Sequence, residues 1–73
     1  DSKFNLIFCD PPFKNKNIED LIDLIFKNNL IENNGIIILH RNKNSLEKLP
    51  NYFETINERI YGISKIIFGR LLS

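Results

Sequence analysis

Two nearly uninterrupted apolar runs constrain this chain more than any other feature. Phe4-Asn5-Leu6-Ile7-Phe8-Cys9 and Gly35-Ile36-Ile37-Ile38-Leu39-His40 are rich in strand formers, and neither shows the alternation of a strand with one wet face. That is the pattern of parallel strands covered on both faces. Between the runs, Ile18, Leu21, Ile22, Ile25 and Phe26 recur at three-and-four spacing, while Glu19, Asp20, Asp23 and Lys27 fall elsewhere, as on an amphipathic helix packed against a sheet. Asn17 suits the N-cap, Asp20 holds the capping-box position, and carboxylates in the first turn complement the helix dipole. A helix of about fourteen residues starting near Ile18 is expected, with Asn28-Asn29 at its end and a turn at Asn34-Gly35. Strand, helix and strand make a right-handed crossover with parallel strands.

The second half is less regular. Asn44 or Ser45 is suited to cap a single turn through Leu46 and Leu49, which Pro50 would stop. Tyr52–Tyr61 and Ile63–Arg70 are strand-compatible and flank Gly62, so an antiparallel hairpin is expected there, with Ser64, Ile66 and Phe68 on one face. The expected fold class is α/β: a β-α-β unit followed by an antiparallel β-hairpin.

At 73 residues the chain has room for one core. The 42% hydrophobic and 26% charged composition is that of a soluble globular chain, and no apolar run approaches the ~20 residues of a membrane span. A net charge of +1 provides no global basic footprint, so any nucleic-acid contact must be local. One cysteine and one histidine exclude an internal disulfide and a four-ligand zinc site built from these residue types. A reducing cytoplasm suits such a chain. The abrupt start at Asp1, just ahead of a strand, reads as the C-terminal part of something longer.

Chemistry concentrates where the first strand ends. Asp10-Pro11-Pro12-Phe13 follows Cys9 directly, and an acid-Pro-Pro-aromatic tetrapeptide arises by chance on the order of once in 10⁵ positions. In open α/β sheets, ligands bind beyond the carboxyl ends of parallel strands. Each proline fixes φ and removes an N–H, leaving a rigid loop of carbonyl acceptors. Asp10 adds an anionic acceptor, and Phe13 offers a face on which a base can stack for roughly 1–3 kcal/mol. Two acceptors holding the N–H bonds of a nucleobase amine would orient its nitrogen and stabilise the charge that develops on methylation. The carboxylate can also receive the released proton. The structural alternative is a turn in which the prolines stop the strand and Phe13 packs in the core.

This loop resembles motif IV of the Rossmann-like, S-adenosylmethionine-dependent amino-methyltransferases, (Asp/Asn)-Pro-Pro-(aromatic). Together with the following helix, Asn34-Gly35-Ile36-Ile37-Ile38-Leu39, the Leu49-Pro50 step and Tyr61-Gly62-x-x-Lys65, the chain resembles the bacterial small-subunit ribosomal RNA guanine-N2 methyltransferases. The resemblance covers most of the chain. It implies the C-terminal half of a Rossmann-like methyltransferase sheet, supplying strands four to seven with the last antiparallel, so that residues 1–73 form the C-terminal part of one methyltransferase domain. It further implies S-adenosyl-L-methionine as cofactor, with Asp10 as a cofactor contact, and ribosomal RNA or the small subunit as partner. Asp10, Pro11, Pro12 and Phe13 would be the catalytic set: Asp10 and the Pro11 carbonyl grip the guanine amine, Pro12 stiffens the loop and Phe13 stacks on the flipped base. Lys14 and Lys16 would reach neighbouring phosphates, though a solvated loop explains them equally. Two departures stand out: the second apolar run ends in His40-Arg41 where many relatives carry an acidic residue, and the glycine-rich cofactor loop lies outside this sequence.

Among the remaining residues, His40 reads as an ordinary half-buried histidine with no evident partner, and Cys9 as an apolar filler. Lys65 and Arg70 are candidates for a basic rim or for edge protection. An N6-adenine DNA methyltransferase is the rival enzyme, since the same loop serves any planar exocyclic amine. A non-catalytic fragment, associating through a bare Phe4–Cys9 edge, is the rival outside enzymes.

Overall fold

The structure, a computed structural model, describes residues 3–10, 18–46 and 48–72. Five elements follow in order: β1 (Phe4–Cys9), α1 (Ile18–Lys27), β2 (Ile31–Asn42), β3 (Phe53–Tyr61) and β4 (Ser64–Leu71). They form one mixed sheet in the order β1-β2-β4-β3, with β1 parallel to β2 and β4 antiparallel to both of its neighbours. The β-α-β unit and the terminal hairpin are therefore as expected. The last strand enters the sheet inside its own hairpin partner, against β2, which leaves β3 at the far edge.

Helix α1 starts at Ile18, as its spacing predicts, but runs for 10 residues. It stops early because Asn29 adopts φ 55°, and the chain closes in a Schellman motif: Leu30 N–H donates to Ile25 O (3.1 Å) and Asn29 N–H to Phe26 O (3.2 Å). The core is the layer between α1 and the sheet. Ile18, Ile22 and Ile25 pack against Cys9, Ile37, Leu39, Phe53 and Ile67. The buried helical stripe is narrower than its apolar pattern: Leu21 is only partly buried, and Phe26 is 44% exposed with its ring stacked on Tyr52 at 4.3 Å.

Three expectations need correction. Within this chain β1 is an edge strand and is not covered on both faces. Among the described residues it has a partner on one side alone, and α1 covers one face of the sheet, so Leu6 and Phe8 are 55% and 61% exposed on the other. Asn34-Gly35 is not a turn between elements but part of β2. Between the Phe4↔Ile31 and Leu6↔Ile36 pairs, β1 advances by two residues while β2 advances by five; the positive φ of Asn34, 65°, serves that bulge. No helical turn follows Asn44 or Ser45 among the described residues. Lys43-Asn44 forms a tight turn in which Asn42 Oδ1 accepts from Asn44 N–H (2.9 Å), and Leu46 is 99% exposed.

Gly62 and Ile63 form the hairpin's two-residue loop, with Tyr61 opposite Ser64. Gly62 has φ +57° and Ile63 does not share a positive φ, the pattern of a type II′ turn, whose twist matches that of the strands. Ser64, Ile66 and Phe68 do share a face; it is the face away from α1, and Lys65, Ile67 and Gly69 lie beneath the helix layer.

Candidate catalytic site

The parallel pair β1 and β2 ends at Cys9↔Leu39, and the next residue on each strand is the one with chemistry, Asp10 on β1 and His40 on β2. Parallel register thus sets the two side chains side by side beyond the covered part of the sheet. His40 Nδ1 lies 3.1 Å from Asp10 Oδ1, and His40 Nε2 lies 2.9 Å from Ser64 Oγ. Ser64 opens β4 directly after the Gly62-Ile63 turn, and Lys43 N–H donating to Ile63 O (2.8 Å) ties that turn to the end of β2. Three strands therefore deliver a carboxylate, an imidazole and a hydroxyl to one edge of the open face.

Asp10 keeps a side chain 54% exposed although one oxygen is engaged, and His40 is 35% exposed. The carboxylate is thus held and still reachable. Pro11, Pro12, Phe13, Lys14 and Lys16, and the proposed N-cap Asn17, lie outside the described residues. His40 is not partnerless, as its sequence context suggests. Its partners come from 30 and 24 residues away, and only the position of β4 next to β2 brings Ser64 near.

Lys65 and Arg70 do not form a basic rim. Lys65 is 9% exposed and its ammonium donates to Ser45 O at 2.6 Å, so it anchors the β2–β3 connection under the sheet. Arg70 Nε pairs with Glu54 Oε1 at 2.6 Å across the β4–β3 ladder; exposed pairs of this kind contribute up to about 1 kcal/mol. Cys9 is buried, and burial pushes its thiol up, which agrees with a packing role. Beside β1, exposed Phe4, Leu6 and Phe8 adjoin an apolar groove that continues onto Leu21, Leu24 and Leu30 of the helix layer. No group of acidic, histidine or cysteine side chains among the described residues is arranged to hold a metal ion, and no helix among them is long and apolar enough to cross a membrane.

A parallel pair joined by a helix, with an antiparallel final strand inserted inside its hairpin, is part of a Rossmann-like methyltransferase sheet, and solved structures carry the same arrangement. A candidate methyltransferase from Escherichia coli superposes with a TM-score of 0.81 over 97% of this chain at 22% identity, a likeness of fold. A candidate methylase from Haemophilus influenzae gives 0.79 over 96% at 27% identity, and a conserved hypothetical protein from Streptococcus pyogenes gives 0.82 over 97% at 26%. Residues 1–70 match the family described as Conserved hypothetical protein 95, and the chain belongs to that family. Among curated proteins it is 33% identical over 70 residues to an uncharacterised methylase of Rickettsia prowazekii, covering 96% of this chain. It is 41% identical over 46 residues, 63% of this chain, to the ribosomal RNA small subunit methyltransferase D of Buchnera aphidicola. The chain spans 30% and 23% of those two relatives and 41–44% of the three solved chains.

Proposed function

We propose that this chain is the amine-gripping part of an S-adenosylmethionine-dependent RNA methyltransferase that modifies the exocyclic N2 of a guanine in small-subunit ribosomal RNA. Residues 1–73 then form the C-terminal part of a single catalytic domain whose cofactor-binding strands lie outside this sequence. One observation carries the reading: in a methyltransferase sheet, the carboxylate of Asp10 stands exposed and held at the carboxyl end of β1, where such sheets bind ligands. The Buchnera relative, named for ribosomal RNA methylation, supports the substrate class.

Asp10 accepts one amine N–H and the Pro11 carbonyl the other, which aims the nitrogen lone pair away from the loop. Both acceptors strengthen as positive charge grows on that nitrogen, so they act on the transition state more than on the bound base. Pro12 restricts the loop, Phe13 stacks on the base, and Lys14 and Lys16 take neighbouring phosphates. Asp10 would also contact the methyl donor at this strand end. S-adenosylmethionine, when bound, would supply an electrophilic methyl group, and Asp10 would accept the proton that the amine gives up as it is methylated.

The complete gene product should transfer labelled methyl groups to small-subunit ribosomal RNA, naked or assembled. Label confined to duplex DNA would instead identify an N6-adenine enzyme using the same loop.

A further inference from the structure

The methylation reading uses Asp10 and leaves His40 and Ser64 unassigned. We propose that His40 is a positioning residue for Asp10, and that Ser64 fixes His40 in the tautomer this requires. The inference rests on the methylation reading for its consequence in catalysis, but its geometry stands alone. An ionised carboxylate only accepts hydrogen bonds, so the nitrogen 3.1 Å from Asp10 Oδ1 must carry the proton. A neutral imidazole with Nδ1–H has a lone pair on Nε2, and a hydroxyl 2.9 Å away can donate to it. The other tautomer sets a ring lone pair against the carboxylate. With a neutral imidazole, Asp10, His40 and Ser64 are mutually consistent in one tautomer.

The consequence concerns orientation. A carboxylate 54% exposed at a strand end has rotamers of similar energy open to it, and each one aims its acceptors differently. The Nδ1–H holds Oδ1 and leaves Oδ2 as the acceptor for the substrate amine. His40 is itself confined, since it sits on a strand hydrogen-bonded on both sides and opposite Ile66.

The same trio of side chains, in the same order, operates in acyl transfer, but that chemistry also needs backbone N–H donors beside the nucleophile. Ser64 lies on β4, whose neighbours pair with it on both sides: Asn42 of β2 and Tyr61 of β3 stand opposite Ser64. In this proposal the Ser64 hydroxyl serves the imidazole.

The test uses the complete gene product and two independent readouts. ¹⁵N NMR of the imidazole in its neutral form should show His40 protonated on Nδ1, and Ser64→Ala or Asp10→Ala should each return the ring to a mixture of tautomers. A ring protonated on Nε2, or one indifferent to both substitutions, overturns the proposal. In methyl transfer, His40→Ala should lower kcat by about 10- to 100-fold with little change in the KM for RNA, as expected for a misaligned catalytic group. His40→Asn, whose amide N–H replaces the Nδ1 donor, should recover part of the loss. Full kcat in His40→Ala, or no recovery in a folded His40→Asn, counts against the positioning role. Should Asp10→Ala keep full activity, the methylation reading fails while the NMR result still decides the tautomer.

Discussion

Asp10 is a residue whose surroundings separate function from folding. Its side chain is half exposed and its bond to His40 is partly solvated, so removing it should cost about 1 kcal/mol of stability or less. Loss of an acceptor aimed at developing charge should cost about 10²- to 10³-fold in kcat. Asp10→Ala in the complete gene product, followed by methyl transfer and denaturant titration, should show that imbalance; matched losses would favour a structural turn. Cys9 behaves oppositely. Because burial raises its thiol pKa, the folded chain holds the proton at pH values where the unfolded chain releases it. Stability from this group is present below the unfolded thiol's pKa and is lost as pH rises through the folded one. Between about pH 8 and about pH 10, wild type should therefore lose more stability than Cys9→Ala, and parallel curves would refute this.

At the scale of elements, α1 is anchored by fewer residues than its apolar stripe suggests. Ile22 is fully buried, while Leu21 is half-buried at the edge of the core. Ile22→Ala should destabilise by about 2–5 kcal/mol and Leu21→Ala by distinctly less; urea melts with the ordering reversed would contradict the packing described. In the hairpin, Gly69 lies under the Phe53 ring, and a Cβ there would also stand 2.8 Å from the Glu54 carbonyl oxygen. Backbone cannot step aside as a flexible side chain can, so Gly69→Ala should destabilise by about 1–3 kcal/mol. A neutral effect would mean that β3 shifts freely at its bulge between Thr55 and Asn57.

At the scale of the whole molecule, the described residues cover the sheet on one face only. Phe4, Leu6 and Phe8 are each more than half exposed along an edge strand, and unpaired strand edges with apolar side chains recruit further strands. The 73-residue chain alone should associate in a concentration-dependent way, and light scattering that found a monomer throughout would argue against pairing at β1. Calorimetry on the same chain should detect no tight S-adenosylmethionine binding, because on the proposed reading the strands that bind that ligand lie outside this sequence. Micromolar affinity would overturn this expectation.

Local pattern was enough for the elements themselves. The period of the helix stripe, the two apolar runs, Asn28-Asn29 and Gly62 each act through neighbours a few residues away, so α1, β1, β2 and the hairpin were legible in the sequence, as was the strand-end position of Asp10. Asn34 shows the limit of that logic: its left-handed conformation was predictable, but whether it turns the chain or bulges a strand depends on Leu6 pairing with Ile36. His40 shows it more fully. Nothing within its own segment indicates a partner, because Asp10 and Ser64 reach it only through the parallel register of β1 and the insertion of β4 beside β2. Sequence determined which elements form and that Asp10 stands at the end of a strand. Tertiary structure decided which of them touch, since contacts between distant segments are set by sheet order and register, which no local propensity encodes.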